Sequence, residues 1–150
     1  MKVNYFTIPE ITVSYKDNVK SSERAVVRCS QDIAEIMAVA FEGCMEHHEE
    51  VNVLFMNRAN RVLGISNVAK GGVFGAYVDV SIILQTALKV SASAIAVSHN
   101  HPSGSVIPST EDLDMTRKIQ KGCEAIGISF FDHVIMADEK YCSFADEGLI

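Results

Sequence analysis

Ala94-Ile95-Ala96-Val97-Ser98-His99-Asn100-His101-Pro102, followed by Ser109-Thr110-Glu111-Asp112, is the stretch on which the fold turns. Ala94 to Val97 is a short run of small and branched apolar residues, suited to a strand buried on both faces. Two histidines follow directly, just past the end of that strand. Pro102 and Pro108 bracket a turn, and a helix opens at Ser109 and runs to about Gly122. A buried strand feeding a helix is a building unit of α/β proteins. In open α/β sheets, ligands gather outside the carboxyl ends of strands, which is where His99 and His101 stand.

Working outward, the same alternation of elements continues. Ser30 is the expected N-cap of a helix whose apolar positions are Ile33, Ile36, Met37, Ala40, Phe41 and Cys44, with Gly43 near its end. Val51 to Met56 reads as a buried strand. Asn57-Arg58-Ala59-Asn60 is a turn, and Val62 onward is the partner strand of a hairpin. Gly71, Gly72 and Gly75 mark a flexible connection that lacks the Lys-Ser/Thr ending of a phosphate-binding loop. Asp79 caps a helix running to about Ser91. Downstream, Ile128 to Phe131 and Val134 to Met136 read as two strands around a turn at Asp132-His133, and Tyr141 to Phe144 as a further strand. Residues 1–28 form an extended arm: Ile11 to Tyr15 alternate as a strand, and Lys16 to Arg24 are a charged loop. Residues 29–150 then make one α/β sandwich around a mixed sheet.

Composition narrows the function classes. A chain of 150 residues can bury one core. Its net charge of −6 offers no footprint for a phosphate backbone, so direct nucleic-acid binding is not expected. The basic cluster Arg117, Lys118 and Lys121 reads as the solvated face of a helix. Cys29, Cys44, Cys123 and Cys142 are scattered without a Cys-x-x-Cys pair, as core or half-buried free thiols suited to a reducing cytoplasm. Neither a signal peptide nor a membrane span is apparent.

The chemistry concentrates at the histidines. Residues at i and i+2 on extended chain face the same way, about 6.6 Å apart along the strand, so His99 and His101 can converge on one metal ion. A carboxylate, Asp112, follows at the opening of the helix. Three protein ligands leave a fourth position for water, as a catalytic zinc requires. Ser109 and Asp112 are also spaced as a capping box, in which each bonds the other's backbone N–H. The two roles are compatible, because a hydroxyl both donates and accepts and a first-turn carboxylate is favoured in its ionised form by the helix dipole. A zincin helix would need His-Glu-x-x-His. A nucleobase deaminase would need His-x-Glu with Pro-Cys-x-x-Cys. Both are absent.

His99-x-His101-Pro102 with Ser109-x-x-Asp112 resembles the motif of the JAMM (MPN-plus) metalloproteases. His99-Asn100-His101-Pro102-Ser103-Gly104, Asp132-His133 and Ser143-Phe144-Ala145-Asp146-Glu147-Gly148 resemble its RadC-type, JAB-domain branch over roughly residues 30–150. The resemblance implies a three-layer, cytidine-deaminase-like α/β fold with a mixed sheet. It also implies one zinc ion per chain held by His99, His101 and Asp112, with Ser109 stabilising the reacting carbonyl oxygen. A glutamate at the start of an earlier strand would be general base. Glu49 and Glu50 both stand there; neighbouring strand residues face opposite ways, and Glu49 is preferred. Asp132 and His133 could stand behind the ligands, but a hydrogen-bonded turn is the preferred assignment.

The activity that the resemblance implies is hydrolysis of an amide, peptide or isopeptide, on an unidentified protein or peptide. The alternatives are a non-catalytic protein-binding module on the same scaffold, or a repair-associated factor, to which the acidic balance lends nothing. RadC-type proteins usually carry an N-terminal helix-hairpin-helix domain, where this sequence has only an arm and one helix.

Overall fold

The computed structural model describes residues 12, 14, 15, 17–71 and 78–150. The strand expected over Ile11 to Tyr15, and Gly72 and Gly75, lie partly or wholly outside those residues. The described chain forms helix α1 (Ser30–Ala40), strands β1 (Glu50–Met56) and β2 (Val62–Lys70), helix α2 (Val80–Lys89), strand β3 (Ala94–Asn100), helix α3 (Thr110–Ala125), and strands β4 (Ser129–Ala137) and β5 (Lys140–Ser143). The strands order as β2-β1-β3-β4-β5. Only β3 and β4 run parallel, joined through α3; every other neighbouring pair is antiparallel. The sheet is mixed, as expected.

Period-two alternation sorts the side chains into two cores. Leu54, Met56, Ala94, Ala96, Val134 and Met136 meet Ile33, Ala34, Met37 and Phe41 of α1 and its C-terminal turn. Val51, Val53, Phe55, Ile95 and Val97 meet Ile83, Ala87, Ile119 and Cys123 of α2 and α3. The result is three layers, α1 on one face and α2 with α3 on the other. Both β1 and β3 are buried along their whole length, which is why each reads as an apolar run. Helices α2 and α3 approach closely at Gly122, where an added Cβ would lie 2.8 Å from Leu84 Cδ1.

The local signals behave largely as their chemistry requires. Asn57 Oδ1 accepts from the backbone of Ala59 (2.9 Å) and Arg61 (3.0 Å), closing the β1–β2 hairpin. Asp79 accepts from Ser81 N and caps α2. The arm pairs with the start of β2, Val26 bridging Arg61. Three expectations need correcting. Ser30 does not cap α1: Cys29 stands at the N-cap position without a side-chain cap bond, and Ser30 is the first helical residue, its hydroxyl bonded to Asp146 Oδ2 instead. His99 is not past the end of its strand; β3 runs through His99 to Asn100. Asp132-His133 is not a turn either. Both residues lie inside β4, an uninterrupted strand with a register shift against Ile95/Ala96, and the turn comes later at Asp138, whose φ is +47°.

Candidate metal centre

His99 sits near the end of β3 with its ring fully buried on the α3 face. His101 follows one residue beyond the strand. Its backbone N–H donates to Met136 O (2.8 Å), so the β3–β4 ladder continues and holds the ring on the same side. A turn closes beneath it: Gly104 N–H donates to His101 O (3.0 Å), and Gly104 takes a φ of +79°, open to glycine at little cost. The turn brings Ser105 O to 2.7 Å from His101 Nδ1. A carbonyl only accepts, so Nδ1 carries the proton there and Nε2 faces inward.

Asp112 enters from the first turn of α3. The capping box forms in full: Ser109 Oγ accepts from Asp112 N (3.1 Å), and Asp112 Oδ2 accepts from Ser109 N (2.8 Å) and from Ser109 Oγ (2.6 Å). That leaves Asp112 Oδ1 facing His99 Nε2 at 3.1 Å. Asp112 Oδ2 is 3.6 Å from His101 Nε2, and the two Nε2 atoms are 2.9 Å apart. Ligands at about 2.0–2.1 Å from a tetrahedral ion stand about 3.3 Å from one another, so this donor set fits one divalent metal. Burial opposes ionisation of Asp112, but its close contacts with His101, His99 and Ser109 outweigh it and hold the carboxyl well below the usual range. The same contact with Asp112 raises His101, against burial, with Ser105 O and the charges of Asp112 and Glu49 adding to it. His99, His101 and Asp112 therefore form a group able to hold a metal.

Strand register separates the two glutamates. Val51 pairs with His99 across β1 and β3, so Glu49, two residues earlier, lies on the face and at the level of His101. Glu50 points to the other face. It is buried there, bonded to His48 Nε2 (2.7 Å), Asn67 Nδ2 (2.6 Å) and Lys70 Nζ (3.2 Å). The exposed Arg117, Lys118 and Lys121 occupy the solvated side of α3, as their spacing suggests. Cys29 is exposed at the start of α1 and not half-buried, because it precedes the helix face that packs on the sheet.

Near the site, the linear pattern marks neither Asn100 nor Thr116, and it offers Asp132 and His133 chiefly as a turn. Asn100, between the histidines, faces the α1 side fully buried. Its Oδ1 accepts from Glu50 N (2.7 Å), and its Nδ2 lies within reach of the carbonyls of His48 (2.8 Å), Met45 (3.0 Å) and Cys44 (3.2 Å). It thus clamps the segment that delivers Glu49. His133 lies behind His99, Nε2 to Nδ1 at 2.8 Å, and Thr116 Oγ1 lies 2.6 Å from His133 Nδ1. Burial first, then the neighbouring His99, pushes His133 well below its ordinary pKa. Asp132 faces away from the metal donors. It accepts from Ser143 Oγ (2.6 Å), Ala145 N (3.0 Å) and His133 N (2.7 Å), tying down the chain end that seats Phe144 on the His133 ring at 4.4 Å.

One stability prediction arises here. Ser109→Ala removes the cap acceptor of α3 and should cost about 1 kcal/mol. In a domain of this size that lowers the melting temperature by about 3 °C. Unchanged thermal unfolding would show that the cap contributes nothing.

A mixed-sheet sandwich with two imidazoles and a helix-borne carboxylate converging at the end of a central strand is a JAB/MPN-type α/β domain with a candidate metal centre. Residues 27–149 match the RadC-like JAB domain family, and the chain belongs to it. Similar proteins include the UPF0758 proteins of Flavobacterium johnsoniae (40% identical over 102 residues, 68% of this chain and 44% of the relative) and Porphyromonas gingivalis (42% over 103 residues, 68% and 45%). The UPF0758 protein of Aquifex aeolicus is 35% identical over 127 residues, 85% of this chain and 54% of the relative. The chain thus spans about half the length of these relatives. No helix among the described residues is long and apolar enough to cross a membrane.

Proposed function

We propose that this domain is a zinc-dependent hydrolase of amide bonds, acting on a peptide or isopeptide. The observation that carries the reading is the convergence of three donors on the α3 face of the sheet, with half-buried Glu49 level with His101 by strand register. Held by His99, His101 and Asp112, the ion would activate water and polarise the substrate carbonyl. Glu49 accepts the proton of the attacking water and returns it to the departing nitrogen. Ser109 donates a hydrogen bond from its hydroxyl to the carbonyl oxygen as negative charge develops there, which requires the hydroxyl to turn from Asp112 Oδ2. Asp112 stays ionised throughout, oriented by the Ser109 backbone N–H. Zinc suits two imidazoles and one carboxylate with an open fourth position. The free cysteines suit a cytoplasmic location, and the net charge of −6 favours a protein or peptide partner over nucleic acid.

Elemental analysis tests the site. About one zinc per chain is expected in the wild type, and none in His101→Ala or Asp112→Ala, with both variants still folded. Full metal retention in both variants would sink the assignment. Zinc bound without turnover of any peptide or isopeptide substrate would replace the enzyme by a metal-stabilised binding module.

A further inference from the structure

Behind the donors lies a chain of hydrogen bonds whose direction is set by one fixed acceptor. Thr116 Oγ1 lies 2.6 Å from Asp112 O, its i−4 carbonyl. The carbonyl has no hydrogen, so the threonine proton occupies that contact. Thr116 Oγ1 is then left as an acceptor toward His133, and His133 Nδ1, 2.6 Å away, must be the donor. His133 is fully buried, and among the described residues no carboxylate is hydrogen-bonded to its ring. An unpaired imidazolium is disfavoured in such a place, so the ring carries one proton and Nε2 is a lone pair. That lone pair lies 2.8 Å from His99 Nδ1, which therefore donates. The remaining nitrogen of His99, Nε2, faces His101 and Asp112.

From this geometry we infer that His133 is a positioning residue for the metal centre: with Thr116 it fixes the tautomer of His99 so that Nε2 presents its lone pair to the ion. This rests on the proposed metal site but not on any hydrolytic activity. The chain starts and ends on Asp112 and so ties two ligands together: the backbone carbonyl of one orients the ring of the other. Phe144 packs on His133 at 4.4 Å and keeps the ring from turning. Such partners of a ligating histidine characteristically change metal affinity by about 10–100-fold when removed.

Three variants separate this role from mere packing. His133→Leu fills the space but leaves His99 Nδ1–H without an acceptor, and should weaken zinc binding about 10–100-fold in competition with a chromogenic chelator. His133→Gln restores an acceptor near the lost Nε2 and should recover most of that affinity. Thr116→Val leaves the ring in place but removes what orients it. The His133 proton can then move to Nε2, driving the His99 proton onto the metal face, so zinc binding should fall at least about tenfold. Long-range nitrogen–proton NMR of metal-free wild type supplies a readout independent of zinc and of catalysis: His133 should carry its proton on Nδ1. If Thr116→Val and His133→Leu bind zinc as the wild type does, or if His133 carries its proton on Nε2, the inference is overturned. Should His133→Leu fail to fold, Thr116→Val and the wild-type spectrum still decide the matter. A wild type that binds no zinc yet shows the Nδ1–H tautomer would retire the metal reading and leave the hydrogen-bond chain standing.

Discussion

Glu49→Gln should retain about one zinc per chain and lose amide hydrolysis by a factor of about 10²–10⁴, the usual contribution of a positioned acid–base group. Glu50→Gln should retain both the zinc and the hydrolysis. The two side chains are neighbours in sequence but point to opposite faces of the sheet. Glu49 lies at the level of His101, and its charge helps to raise that imidazole. Glu50 is enclosed by His48, Asn67 and Lys70 on the α1 side. Its variant should instead lose stability. Burial opposes the Glu50 charge, but the hydrogen bonds from His48 and Lys70 outweigh it and lower the carboxyl below its ordinary value. For a lowered carboxyl, the stabilisation is fully present above the unfolded-state value and is lost as pH falls through the folded one. Wild type should therefore lose this part of its stability on acidification below about pH 4–5, near the ordinary glutamate range. Glu50→Gln should lack that part at neutral pH and show a shallower decline. Urea titrations across this range read the difference, and the reverse assignment of the two variants would put the base at Glu50.

How much of this was legible in the sequence depends on whether the deciding partner is near in the chain. The apolar runs at Val51–Met56 and Ala94–Val97 identify buried strands because both faces are covered, and the chemistry of Ser109, Asp79 and Asn57 identifies a helix start, a cap and a turn. The two histidines and Asp112 are local enough to be recognised together. His133 is not. A polar pair in an apolar run resembles a turn, and only the pairing of β4 beside β3 brings it to His99, 34 positions away. Thr116 gives no signal either, since a threonine on a helix bonding its i−4 carbonyl is commonplace. Asn100 could have been found. If His99 and His101 face one side of an extended chain, the residue between them must face the other, and a buried amide there needs partners.

Those partners make Asn100→Ala the variant with the largest expected loss of stability. The side chain accepts from Glu50 N and donates toward the carbonyls of His48, Met45 and Cys44, so it holds the chain between α1 and β1 at several points. Alanine leaves the Glu50 N–H and at least one carbonyl without partners in a buried region, at a cost of about 2–4 kcal/mol. In a domain of this size that lowers the melting temperature by about 5–15 °C. Asn100→Asp should be no milder, because it keeps the acceptor toward Glu50 N but turns a carboxylate oxygen toward three carbonyls. The functional consequence is more specific than the loss of stability. His99 and His101 are held by the sheet and by the Ser105 turn, so the folded fraction of Asn100→Ala should still bind zinc. Glu49 is carried by the released segment, so hydrolysis should fall well beyond the loss of folded protein. Combining the substitutions decides whether the amide acts through the base. In the Glu49→Gln background, Asn100→Ala should cost little further activity while still costing its full stability. Additive losses of activity would mean that Asn100 acts on the site by another route.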